Sequence, residues 1–315
     1  MRPLGSLALV LASATTAALL VLLSQRSTLP PVPPLVGLYE YPASSAQTGG
    51  FGIDATFLDW NDPQLVSRLR DFLRGAESRR RLPLLTLEPF PDRQAGRTNQ
   101  DLLTDVLAGR HDAALAAVGR ILAAHPGPVF LRFAHEMDKV GQYPWAYRDP
   151  ERYIQLYHHV FTRIAAERPR NVRWVWSPAG NSISHRYWPG ETYVDLIGLS
   201  IYASRAWYPH RQLEAFTQQL DQKRWIAQRY GLPLLVAEVG VSGAAADQQQ
   251  WLHKALQMLP RYPELCGLVY FQAPQPTWMP LPSGHEDWSL KPSVLQWLQR
   301  QLPLAPRHGR SCLEA

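Results

Sequence analysis

The sequence predicts a (β/α)8 barrel, preceded by a short N-terminal export segment. Three observations carry that expectation. Eight short apolar runs recur along the chain, and longer amphipathic segments separate most of them. At 315 residues the chain has room for eight such units but shows no second domain. Neither a G-x-G-x-x-G run nor a P-loop is present, so an open nucleotide-binding sheet loses its main support.

The strand candidates are 35–41, 53–60, 82–89, 128–136, 172–177, 194–202, 233–239 and 265–271. Between them, 62–79 reads as an amphipathic helix with Asp62 as N-cap and Pro63 at the first helical position. The Ala/Leu-rich stretch 101–125 is a helix with a break expected at Gly109. Segments 150–168, 211–230, 247–259 and 293–302 complete the set, with Gly231 placed as a C-cap. Alternation of this kind implies parallel strands with right-handed crossovers. Two connections are irregular: 42–50 is too short for a helix, and 181–192 is rich in aromatic and turn residues.

The first residues carry a separate signal. Arg2 precedes an uncharged stretch that ends in the apolar run 17–23. This matches a signal peptide or signal anchor over 1–26, followed by a Pro-rich linker over 27–34. The expected barrel covers 35–305, with a tail over 306–315. The globular part is expected outside the cytoplasm, tethered if the segment stays and secreted if it is cleaved. Cys266 and Cys312 are the two cysteines; export permits a disulfide, and two free thiols fit the sequence equally.

Composition narrows the partners. The hydrophobic fraction is 46% and the charged fraction 18%, which suits a large folded core. Net charge is +6, yet basic residues occur only in short clusters such as Arg79, Arg80 and Arg81, so nucleic acid is not an expected partner. An acidic substrate is the lesser alternative to reading that charge as a surface property. No Cys/His spacing suggests a metal, and no cofactor is expected. The chain is read as a monomer. There are 11 Trp and 13 Tyr; these fill cores, and they also pack on the C–H faces of sugar rings.

Working residues in such barrels sit where strands end at the C-terminal face. Glu136 and Glu238 stand at the ends of the fourth and seventh apolar runs. Burial there penalises an unpaired charge, so each needs either a structural partner, for which Arg132 is available, or a chemical task. Two facing carboxylates are what glycosidic cleavage requires. One protonates the departing oxygen, and the other, at about 5 Å, attacks the sugar carbon to give a covalent intermediate and net retention.

The fragment His135-Glu136-Met137-Asp138, followed by Tyr143-Pro144-Trp145, resembles the His-Glu-Met-Asn…Trp signature of glycoside hydrolase family 26, the β-mannanase family. Trp174-Val175-Trp176-Ser177-Pro178, Tyr187-Trp188-Pro189-Gly190 and Ala237-Glu238-Val239-Gly240 follow in the family's order. The resemblance implies Glu136 as acid/base and Glu238 as nucleophile. It implies sugar contacts for His135 and Trp145, and a bond from Tyr202 that keeps the nucleophile ionised. Tyr143, Trp176 and Trp207 are further substrate-binding candidates; Trp176 reads equally as core, and His135 also as a core histidine. An endo-acting β-glycanase follows, with mannan as the first substrate and mixed-linkage glucan or β-1,3-xylan as alternatives. A non-hydrolytic carbohydrate-binding barrel, or a trimmer of the cell's own exported polysaccharide, stands beside it. The sequence departs from the signature at Asp138, in the longer loop 139–142, and in Tyr270-Phe271-Gln272, where a Trp-rich end is usual and Trp278 is a substitute. Glu88 reads as the partner of an Arg before a contact to a sugar hydroxyl, and Asp287 and Trp288 as surface residues.

Overall fold

A computed structural model of the chain describes residues 34–40, 49–205, 207, 213–277, 285–302 and 310–313. Its centre is a closed barrel of parallel strands in sequential order. The strands are β1 (Leu35–Glu40), β2 (Ile53–Asp59), β3 (Leu82–Glu88), β4 (Val129–Phe133), β5 (Val172–Trp176), β6 (Leu196–Ala203), β7 (Leu234–Val241) and β8 (Leu265–Gln272). β8 pairs with β1 from Leu35 opposite Gly267 to Glu40 opposite Gln272, which closes the ring. The expected fold is the observed one. Parallel strands wrapped by helices are buried on both faces, so they read as continuous apolar runs, as in Leu82–Glu88, where only Glu88 is not fully buried.

The helices follow the pattern with local corrections. The first runs Leu65–Ser78, later than expected. Asp62 Oδ1 instead accepts from the Gln64 N–H at 2.8 Å and caps the preceding turn. The Ala-rich stretch divides into Leu102–Leu107 and Asp112–Ala124, with Gly109 at φ +75° between them, a conformation that costs glycine nothing. Pro150–Ala165 is capped by Asp149 and buries Tyr153, Leu156, Tyr157, Val160 and Ile164, the helical spacing that faces a barrel. The segment expected as 211–230 is two helices, Phe216–Lys223 and Trp225–Tyr230, closed by Gly231 in the left-handed region.

The largest correction concerns β4, which ends at Phe133 rather than Glu136. Ala134 and Glu136 have φ of +47° and +52°, so the chain leaves the sheet in a turn that the apolar spelling does not reveal. Positive φ at such residues is uncommon and marks a position fixed by its surroundings. Here the Glu136 N–H donates to Ser177 O at 2.7 Å.

Cys266, near the start of β8, is disulfide-bonded to Cys312 on the short helix Arg310–Leu313, which ties that helix to the barrel. Of the arginine cluster, Arg79 and Arg81 converge on the buried carboxylate of Asp54, at 2.8 and 2.7 Å. The expected N-terminal segment, its linker before Pro34 and Trp278 lie outside the described residues. Among the described residues no helix is long and apolar enough to cross a membrane.

Candidate active site

The mouth of the barrel brings Glu136 and Glu238 into one electrostatic neighbourhood. Lys139, Tyr143 and Tyr202 each lie within the field of both carboxylates. Glu238 extends from β7 and is clamped from two sides. Arg132 Nη1 donates to its Oε1 at 2.6 Å, and the Tyr202 hydroxyl donates to its Oε2 at 2.5 Å. Both partners are donors, which suits an ionised carboxylate. Burial and the adjacent Glu238 push the Tyr202 hydroxyl well above its ordinary range, so it remains a phenol. Arg132 is fully buried at 0% exposure. Its second nitrogen reaches Ser200 Oγ at 3.4 Å, and its charge faces the Phe57 ring at 5.9 Å.

The glycine of Ala237-Glu238-Val239-Gly240 has a packing reason. A Cβ on Gly240 would lie 2.7 Å from two carbons of the Tyr202 ring. Tyr202 therefore packs closely on the backbone two residues beyond the carboxylate it bonds. It also meets Trp288, at 4.7 Å between ring centres. Trp288 is 1% exposed, which corrects its assignment to the surface.

Glu136 has different company. Its Oε2 accepts from Lys139 Nζ at 2.6 Å and from the Tyr143 hydroxyl at 3.2 Å. Burial raises this carboxyl, but Lys139, with Arg132 behind it, outweighs burial and holds it far below the usual carboxylate range. His135 adds little, because burial keeps that imidazole neutral. Behind it, Asp138 accepts from the Ala179 N–H at 2.7 Å and from Ser184 Oγ. The residue that departs from the signature thus fastens the connection after β5.

The aromatic candidates divide. Tyr143 touches Glu136 and stacks on Trp145 at 4.8 Å. Trp145 is 0% exposed and donates to His135 O at 2.7 Å. Trp176 is also 0% exposed, edge-on to Trp188 at 5.1 Å. Neither tryptophan presents a free face to a sugar in this geometry; Trp145 supports His135 and Tyr143 from beneath. His135 packs against Tyr143, Trp145 and Phe57, and among the described residues its buried Nδ1 has no partner. Trp207 is 36% exposed and leans on Trp288 at 5.7 Å.

Sequence reasoning missed an aromatic wall made by Tyr39, Phe57 and Phe271, whose rings lie 4.7–5.9 Å apart at the ends of β1, β2 and β8. The signal available was that these apolar runs end in aromatics. Glu88 also corrects its expectation. Among the described residues its carboxyl has neither hydrogen bond nor ion pair, and burial followed by the charge on Glu238 pushes it up to about 8. No group of three or more His, Cys, Asp or Glu converges as metal ligands would, among the described residues.

A barrel with one carboxylate after β4, a second on β7, and donors built around each defines a class of site rather than a packing accident. Residues 105–222 match the model of glycosyl hydrolase family 26. The matched segment contains the His135-Glu136 motif. Two curated relatives align over part of the chain: a β-1,3-xylanase of Vibrio, 31% identical over 105 residues, and a β-1,3-xylanase of Alcaligenes, 27% identical over 135 residues. These alignments cover 31% and 41% of this chain, and the chain spans only 22% and 28% of those relatives. Among solved structures, a family 26 β-mannanase of Bacteroides ovatus superposes with a TM-score of 0.62 at 15% identity, covering 85% of this chain and 87% of that one. A Bacillus subtilis mannanase superposes with a TM-score of 0.56 at 19% identity, covering 80% and 82%. At such identities the structures show the shared fold.

Proposed function

We propose that this protein is a retaining glycoside hydrolase acting on a β-linked polysaccharide, with Glu238 as nucleophile and Glu136 as acid/base. The observation that carries the reading is the clamp on Glu238. A nucleophile must be ionised and aimed, and Arg132 and Tyr202 supply both charge and direction. Attack by Glu238 forms the glycosyl-enzyme while Glu136 gives its proton to the departing oxygen. Glu136 then takes a proton from water, which releases the sugar with its configuration retained. Neutralising Glu238 in the intermediate also frees Arg132 and Tyr202 to hold the acyl oxygen.

The activities of the similar proteins, β-mannanase and β-1,3-xylanase, put mannan and β-1,3-xylan first among neutral polymers. The chain is proposed to act outside the cytoplasm, on the strength of its N-terminal spelling. A second reading is favoured by one observation. With Lys139 seated on it, Glu136 does not hold the proton an acid must give, as befits a barrel that binds carbohydrate without cutting it. Reducing-end release from mannan, mixed-linkage glucan, β-1,3-xylan and cellulose separates the two. The hydrolase reading expects release from at least one polymer, abolished in Glu136→Gln. Binding without release from any polymer supports the second reading.

A further inference from the structure

A general acid has to begin its cycle protonated, and Glu136 begins it against an ammonium. Lys139 Nζ sits 2.6 Å from Oε2. The two partners are unequally placed. The Glu136 side chain is 5% exposed and fixed in a left-handed turn, while the Lys139 side chain is 37% exposed on a flexible stem. If one partner leaves the pair, it is Lys139. An ammonium does not leave a buried carboxylate for nothing, because breaking such a pair strands a charge. A sugar hydroxyl is no replacement for the lost anion, whereas a second anion is.

A groove of about 620 Å³ lies along the connection that follows β5, lined by Ala179, Asn181, His185, Lys223 and Trp225, among others. It joins the site through Asp138, which accepts from the Ala179 N–H, and through Lys223, whose Nζ donates to Ser200 O at 2.6 Å. Lys223 also lies within the field of Glu136 and Lys139. Lys223 and His185 give the groove basic side chains, and Trp225 offers an aromatic ring. Of the neighbouring cations among the described residues, Arg132 is committed to Glu238 and fully buried, and Lys223 donates to Ser200 O. Lys139 is the one whose partner is the acid/base itself.

We propose that Lys139 is a specificity-determining residue that recognises an anionic substituent on the sugar leaving the scissile bond, so that the protein acts on a charged glycan. The inference rests on the reading of Glu136 as acid/base. A carboxylate or ester-linked acid on that sugar draws Lys139 off Glu136. Glu136, left buried without its cation, takes a proton from solvent and becomes the acid the reaction needs. On a neutral glycan Lys139 stays seated for more of the time, the protonated acid is scarcer and turnover is slower. Substrate charge thus speeds the catalyst, and a basic protein meets a polymer of opposite sign.

The test uses the full chain with glucomannan and curdlan, each neutral and oxidised at C6 to uronate. Wild type, Lys139→Met, Lys139→Arg and Lys254→Met are compared by retention in polymer-containing gels and by reducing-end release. Lys254 is an exposed lysine on the helix Ala245–Met258 and controls for general charge. We expect the oxidised polymers to retain wild type, Lys139→Arg and Lys254→Met, and Lys139→Met to lose about tenfold or more of that affinity, the worth of one charge-assisted hydrogen bond. In hydrolysis, wild type prefers the oxidised polymer and Lys139→Met reverses the preference. Equal retention of wild type and Lys139→Met, or an equal loss in Lys254→Met, overturns the anion site. Unchanged hydrolysis of the neutral polymers in Lys139→Met overturns it while leaving the hydrolase reading intact. Lys139-dependent retention with no hydrolysis of any polymer does the reverse.

Discussion

Replacing Glu88 with Gln is expected to stabilise the protein, by an amount that grows with pH. The Glu88 carboxyl sits at the end of β3 without a bonding partner among the described residues, and burial with the nearby Glu238 charge lifts it from 4.5 to about 8. Below 4.5 the group is protonated in both folded and unfolded chains and contributes nothing. Between there and about 8 the unfolded chain ionises while the folded one holds its proton, so stability falls as pH rises, and it levels off above that window. At about 1.4 kcal/mol per pH unit, the whole window bounds the loss at roughly 5 kcal/mol. Solvent at the rim screens part of it, and about 2–3 kcal/mol at pH 7 is a reasonable expectation. Gln keeps the shape and the neutral state at every pH. Urea midpoints for wild type and Glu88→Gln at pH 5, 6, 7 and 8 measure the gap at constant slope. A gap that widens with pH is expected. A gap that is flat, or that favours wild type at pH 8, refutes the reasoning.

Other perturbations test the rest of the site. Tyr202→Phe removes a charge-assisted bond from Glu238 and is expected to lower kcat/KM by about tenfold to a hundredfold, with Tm nearly unchanged. Gly240→Ala drives a methyl into the Tyr202 ring; a loss of about 1–3 kcal/mol in urea titration and reduced turnover are expected together. Cys312→Ser opens the link to Cys266 and should lower stability by about 2–4 kcal/mol, matched by wild type under reducing conditions and without change in KM.

The strands were legible because both faces of each are covered, so their spelling is continuously apolar. The same spelling hid the end of β4, since Ala134 continues the apolar run while its backbone has already turned. Arg132 was recognisable as an available partner, yet its choice of Glu238, 106 residues away, is a property of the closed barrel. Lys139 lay three residues from Glu136 and within sight; what the sequence lacked was the turn that folds it back. Trp145 and Trp176 carried the spelling of sugar platforms and are buried, because aromatic content does not say which face of a residue is covered. Trp288 shows the converse, a loop residue packed under Tyr202. Glu88 was read as half of an ion pair because buried carboxylates usually are; here the charge is avoided by keeping the proton.

The most direct test of the central claim is azide rescue of Glu136→Ala and Glu238→Ala on an activated aryl β-glycoside of whichever sugar the polymer panel identifies. Azide fills the space left by the missing carboxylate, so each variant reports the face its side chain served. Glu238→Ala is expected to yield the α-glycosyl azide and Glu136→Ala the β-glycosyl azide. Exchange of the two products, or turnover of Glu238→Ala near wild type without azide, contradicts the assignment.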